Sequence, residues 1–280
     1  MLVRIRSGII GVVLFATIMF LPYTLPFALV ISGFAFFGVR ELYRAVRTQG
    51  GDPNEILGIL ACFLFQYAAW THQGASFTPY QPALLMLLVI GALLSELFKG
   101  RPKPTLSIGA TLLGGIYVGW LSSYVTLLHG VDLPIVHIPI AHTTSGEWLV
   151  LFVSAATWLS DSGALFFGKG LGRHKMAPNI SPAKTWEGSI GGLAMSLLGG
   201  ALIGSWIHLQ LPFSLGLALL CGISGQIGDL CESALKRDLG VKDFGDVIPG
   251  HGGLLDRIDS ILFSAPLGYY FIWFFLIRPH

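Results

Sequence analysis

Nine stretches of this chain are apolar for long enough to cross a lipid bilayer: 7–21, 24–39, 54–70, 82–98, 106–128, 147–168, 188–208, 212–228 and 260–277. A transmembrane helix needs roughly 20 mostly apolar residues, with a range of about 17–25. Lipid offers the backbone no hydrogen-bond partners, so continuous apolar runs of this length must close their bonds internally, as helices. The expected fold is therefore all-α, a polytopic membrane protein of about nine spans. Composition agrees, since 53% of residues are hydrophobic and 11% charged, against about a quarter charged in a soluble domain. The first two runs are short and meet at Pro22 and Tyr23, which suits a tight helical hairpin. Arg4 and Arg6 ahead of the first run resemble a signal peptide, but no small-x-small cleavage site follows and eight more spans do. The run is read as a retained helix. Cys62, Cys221 and Cys231 form no C-x-x-C pair, so neither a disulfide framework nor a zinc site is expected.

The cations orient the spans. Arg4 and Arg6, Arg40, Arg44 and Arg47, Lys99, Arg101 and Lys103, Lys169, Arg173, Lys175 and Lys184, and Lys236, Arg237, Lys242 and Arg257 fall in alternate connections. That is sixteen of the seventeen Lys and Arg residues, with Arg278 alone opposite. The positive-inside rule makes this side cytoplasmic and places the N-terminus inside. The N-terminal charges are read as topology signals, and Glu96 as a helix-end residue facing the interface. His129, Asp132, His137 and His142 match no metal-ligand spacing and are read as solvated residues of an outer loop. The chain is divided into N-terminal helices over 1–105 and a catalytic region over 106–280.

That catalytic region is where charge enters apolar sequence. Asp161 lies deep in the sixth span, within Thr157-Trp-Leu-Ser-Asp-Ser-Gly-Ala, and an intramembrane carboxylate is a functional candidate by default. Next comes Gly168-Lys-Gly-Leu-Gly-Arg-His-Lys175, then Ser181-Pro-Ala-Lys-Thr-Trp-Glu-Gly188. The glycines permit close backbone approach to a ligand, and the cations suit a polyphosphate. Ser181 is expected to cap a helix carrying Lys184 in its first turn, where a lysine is electrostatically misplaced unless an anion sits beside it. Plain positive-inside charge stays open as the other account.

The stretch 226–260 is densest. Asp229, Ser233 and Lys236 share a helical face at i, i+4 and i+7, with Glu232 beside them, and Asp256 and Asp259 share another at i and i+3. A turn over Pro249–Gly253 is expected to bring the two acidic faces together. Carboxylates converging beside Lys and Arg describe a magnesium–phosphate site, because Mg²⁺ takes a few carboxylates plus phosphate oxygens.

Ser233-x-x-Lys236-Arg237, Lys242-Asp243 and Pro249-x-His251-Gly252-Gly253-Leu254-x-Asp256-Arg257-Ile258-Asp259 together resemble the signature of the phosphatidate cytidylyltransferase (CDP-diacylglycerol synthase) family. Ser181-Pro-x-Lys184-Thr-Trp-Glu-Gly188 and Asp161-Ser-Gly-Ala-x-Phe-Phe-Gly168 also resemble family segments. The resemblance covers roughly 155–262. It implies conversion of CTP and phosphatidate into CDP-diacylglycerol and pyrophosphate, with Mg²⁺ required, a second cation left open, and a homodimer as the assembly. By that similarity Asp229 and Asp256 are the expected metal ligands. Asp161, Lys184, Lys236, Arg237, Asp243 and Asp259 are the expected catalytic set. Ser181, Lys184, Ser233, Lys236, Arg237, Lys242, His251, Gly252, Gly253 and Arg257 are the expected substrate-binding set. The implied place is a bacterial inner membrane with the site on its cytoplasmic face, and no nucleic-acid partner is expected. A CTP-dependent lipid kinase would share most of these groups, although the Lys-Arg to Asp-Arg-x-Asp spacing argues against it. A transporter would carry its polar residues across the bilayer, and these cluster at one face.

Overall fold

A computed structural model describes residues 17–20, 24–71, 80–99, 103–133, 143–245 and 252–277. His251, His137, His142, Asp246, the cations Arg4, Arg6, Arg101 and Arg278, and most of the first expected span lie outside the described residues. The remaining eight expected spans are helices: α1 Thr24–Thr48, α2 Glu55–Thr71, α3 Tyr80–Leu97, α4 Pro104–His129, α5 Ser145–Leu171, α6 Trp186–Trp206, α7 Leu211–Asp238 and α8 Leu255–Ile277. Seven are long and apolar enough to cross a membrane, while α2, at 17 residues, is shorter. A small antiparallel hairpin, β1 Lys175–Ala177 and β2 Ser181–Thr185, lies between α5 and α6 in the sequence.

By packing, the chain forms two compact units, one of Met1–Leu127 with Asp238–Ile258 and one of Leu128–Arg237 with Asp259–His280. In the first, α2 is the hub. Asn54 caps it, its side chain accepting from Leu57 N at 3.2 Å, as Asn does at helix starts. Glu55 then binds Arg40 at 2.9 Å and Arg47 at 2.8 Å, tying the end of α1 to the start of α2. Ala61, Phe65 and Leu88 form the centre of a core that Leu84, Ile116 and Trp120 extend. Pro104 opens α4 at its first turn, where the missing N–H costs nothing. Gly114–Trp120 widens into π turns, and the absence of a side chain at Gly114 leaves room for the Tyr43 ring. Tyr43 Oη donates to Thr111 O at 2.9 Å, satisfying a buried hydroxyl.

In the second unit, α5 and α6 run against each other over most of their length. Small residues make that possible: a Cβ on Gly163 would meet Met195 Cγ at 2.8 Å and Gly192 Cα at 3.0 Å. Without a hydrophobic drive between helices in lipid, such close backbone approach is a main source of attraction. Trp148, Phe152, Leu217, Ala218 and Cys221 are buried here, and Thr157 Oγ1 donates to Ser264 Oγ at 2.8 Å.

Three expectations are corrected. Ser181 does not cap a helix and Lys184 is not in a first turn, because Ser181–Thr185 pairs with Lys175–Ala177 as a strand. The cap is Thr185, whose Oγ1 accepts from Gly188 N at 3.2 Å. Glu96 is buried at 8% exposure rather than facing the interface. His129 is no solvated loop residue; it closes α4 and is 4% exposed.

Candidate active site

The second unit gathers most of the polar residues singled out in the sequence. The β-hairpin turns at Pro178 and Asn179, a favoured pair for that purpose. Its base is clamped by Glu187, which accepts from Arg173 N at 3.1 Å and His174 N at 3.2 Å and contacts His174 Nδ1 at 2.5 Å. The clamp holds β2, whose Ser181, Ala183, Lys184 and Thr185 line a cavity of about 300 Å³. Asp161, Lys169, Ser181, Lys184, Thr185, Ser189, Gln226 and Asp229 supply its polar lining, and Ala164, Leu165, Met176 and Ala183 are among its apolar part. That volume sits at the small end of ligand sites.

Lys184 reaches Asp229 at 2.8 Å, with side-chain exposures of 21% and 35%. One turn further along α7, Ser233 Oγ donates to Asp229 Oδ1 at 3.4 Å. Gln226, one turn earlier, joins three helices. Its Nε2 donates to Ser160 Oγ at 2.9 Å and to Ser189 O at 3.1 Å, and its Oε1 accepts from Ser189 Oγ. Neither Gln226 nor Glu187 was singled out as a functional residue from the sequence. An amide among glycines and serines, and an acid opening an apolar run, look there like ordinary helix residues.

The buried acids meet beside Asp229. One carboxylate oxygen from each of Asp229, Glu232 and Asp259 lies within 4.8 Å of the other two. Glu232 is 0% exposed and Asp259 8%. Lys236 Nζ lies 2.6 Å from Glu232 Oε2. Neither Glu232 oxygen accepts a hydrogen bond of good geometry among the described residues, and its other neighbour is the Asp259 carboxylate. Two ammoniums, Lys184 on Asp229 and Lys236 on Glu232, against three carboxylates still leave one negative charge in excess in a low-dielectric setting, which is expensive unless a cation joins it. An all-oxygen donor set of three carboxylates fits a hard divalent ion such as Mg²⁺. Glu232 is the residue that sequence reasoning undervalued.

Arg237, expected to contact phosphate, donates from Nε to Ile180 O at 3.1 Å and so braces the hairpin turn. The first unit holds the rest of the signature: Lys242, Asp243, Gly252, Gly253, Asp256 and Arg257. There the Asp256 carboxylate accepts from Gly253 N at 2.8 Å and Phe244 N at 3.1 Å. Asp256 thus organises its own turn. Gly252, at φ +85°, takes a left-handed conformation that suits glycine.

Comparison with known proteins settles the ancestry of this arrangement. The cytidylyltransferase family model matches residues 2–275. The chain belongs to the cytidylyltransferase family. It is 38% identical to a phosphatidate cytidylyltransferase of Synechocystis over 96% of this chain and 95% of that protein. Identity to the phosphatidate cytidylyltransferase of Bacillus subtilis is 32%, over 97% of each. A protein of the same name from Staphylococcus aureus is 45% identical over 44% of this chain and 48% of that one. The chain is therefore a nucleotidyltransferase with membrane helices.

Proposed function

We propose that this chain catalyses transfer of the cytidylyl group of CTP to phosphatidate in a bacterial inner membrane, with its site on the cytoplasmic face. The observation that carries the reading is the convergence of Lys184, Asp229, Glu232, Lys236 and Asp259, both charge signs together, at the ends of apolar helices. An oxygen of the phosphatidate phosphate attacks the α-phosphorus of CTP. The bond from that phosphorus to the bridging oxygen breaks, and pyrophosphate leaves. The nucleophile is already an anion, so no strong base is required. The difficulty is bringing two anions together, and cations aligned on both groups lower that barrier.

Lys184 can exchange its contact with Asp229 for a phosphate oxygen, and Ser181 lines the same cavity. Asp161 shares that lining and adds to the acidic character of its floor. Lys236 balances Glu232 and keeps the acids from repelling the incoming phosphates. Gln226 holds α5, α6 and α7 in the register that makes these groups converge. Mg²⁺ held by Asp229, Glu232 and Asp259 would screen the triphosphate and stabilise the leaving pyrophosphate.

The test uses purified protein in detergent with phosphatidate, Mg²⁺ and CTP labelled separately at its α and γ phosphates. The α label should enter lipid and the γ label should leave as pyrophosphate. Asp229→Asn should lose activity by about 100-fold or more, the scale seen when a group serving transition-state charge is removed. Label from the γ phosphate entering lipid instead would mean kinase chemistry and would sink the proposal. The active form is proposed as a homodimer, which light scattering in detergent would register as twice the chain mass.

A further inference from the structure

Glu41 lies in α1, among residues whose charges read as topology signals, yet it is 2% exposed. Its Oε1 accepts from Leu254 N at 3.0 Å and its Oε2 from Leu255 N at 2.9 Å. These N–H groups belong to the start of α8, where the first amides of a helix have no intrahelical partner. A carboxylate is the favoured partner there, because the helix dipole adds to the hydrogen bonds. Helices ordinarily receive such a cap from a residue just ahead of them. Here Leu254 occupies that place and cannot serve, and the cap comes from 213 residues upstream.

The turn ahead of α8 is built closely around this carboxylate. A Cβ on Gly253 would meet Glu41 Oε2 and Gly245 N at 2.8 Å, and Asp256 Oδ2 at 2.9 Å. Asp256 in turn binds Gly253 N and Phe244 N. Glu41 and Asp256 therefore hold one backbone segment from two sides, and Arg257 follows directly. We propose that Glu41 is a positioning residue for cytidylyl transfer: by clamping the first amides of α8 it sets the orientation of Asp256 and Arg257. This deepens the proposed cytidylyl transfer and rests on the family resemblance, which implies that Asp256 and Arg257 belong to the reaction site.

Glu41→Gln keeps the size of the side chain but offers one acceptor where two are needed, and turns an N–H towards the other amide. Tyr43→Phe is the control. It lies on the same helix and removes the buried bond to Thr111, away from the turn. Hydrogen exchange of the peptide covering 252–258, without substrate, should rise by about tenfold or more at Leu254 and Leu255 in Glu41→Gln. Turnover should fall by about 10–100-fold, as when second partners of a site are lost, with KM for CTP changed little. Tyr43→Phe should lower the unfolding temperature without either effect. If Glu41→Gln exchanges and turns over like the parent, the proposal fails. It fails equally if Tyr43→Phe reproduces the kinetic loss, since the role would then be generic stability. Should Glu41→Gln not fold, Glu41→Asp, too short to reach both amides, is expected to move the same readouts in the same direction. A parent protein that transfers no α label would overturn the functional reading instead, and the exchange measurement would still decide whether Glu41 holds the turn.

Discussion

Glu41 and Glu232 are both enclosed by protein, and what faces each carboxylate decides its part. Glu41 faces two backbone amides and is satisfied. Glu232 faces the ammonium of Lys236 and the carboxylate of Asp259, with Asp229 alongside, so charge is left over. A divalent cation would turn that excess into attraction and should stabilise the fold, by about 2.7 kcal/mol at a concentration 100 times its Kd. Thermal unfolding in detergent should therefore move up when EDTA is replaced by Mg²⁺, and the increment should shrink markedly in Glu232→Gln. An undiminished increment would place the cation away from Glu232. These two acids also mark how far single residues could be read from sequence. Asp161 stood out as an isolated charge in an apolar run, Lys184 as a lysine at an expected helix start, and Asp229 by its i, i+4, i+7 spacing with Ser233 and Lys236. Glu41 stood among arginines that gave it a sufficient bland explanation, and its true partners are backbone amides, which leave no trace in residue types. Glu232 sat beside a legible helical face, and only its burial separates it from a solvated helix-end acid.

Among elements, the spans were the most legible part. The run read as 147–168 is the helix Ser145–Leu171, and the run 188–208 is Trp186–Trp206, because the bilayer length imposes a ruler that soluble folds lack. The segment Ser181–Thr185 was misread for a local reason. Ser followed by Pro and then an apolar run is also how a helix begins. What decided against it was a strand partner in Lys175–Ala177 and a second capping hydroxyl at Thr185. The fit of α5 against α6 was invisible, since glycines in an apolar run do not say which neighbour they approach. Gly192 shows the consequence. A Cβ there would press on Ser160 O and meet Gln226 Nε2 at 2.9 Å, so the helices must separate and the Gln226 bridge must loosen. Gly192→Ala should cost about 1–3 kcal/mol, the usual range for overpacking. Gly170→Ala, with open space around the added carbon, should be neutral or stabilising by up to about 1 kcal/mol from helix propensity. Unfolding temperatures of the two variants in one detergent check the pair, and equal losses would show that close helix approach is not what Gly192 provides.

For the whole molecule, the decisive quantity is the side on which each connection lies. If every helix from α1 to α8 crosses the bilayer, its connections alternate, and those after α1, α3, α5 and α7 fall together. Those four hold Asp52, Lys99, Lys103, Arg173, Lys175, Lys184, Lys242 and Asp243 among the described residues. The connection after α6 holds neither Lys nor Arg. This is the asymmetry that sets orientation in short loops, and it is also what the chemistry requires. CTP is a water-soluble anion that cannot cross lipid, so the proposed function needs the cavity lined by the hairpin to open to the compartment that supplies it. The weakest link is α2, whose 17 residues are at the lower limit for a span. Were it only half-inserted, α3 onward would be inverted and the hairpin would face outward. A single cysteine placed at an exposed position on each side, in a background with Cys231 replaced by Ser, separates the two arrangements. Gln210→Cys should react with a membrane-impermeant maleimide on intact cells. Arg173→Cys should react only after the membrane is permeabilised, and CTP added beforehand should slow that reaction by covering the hairpin. The opposite labelling pattern would invert α3–α8 and remove the cytoplasmic site.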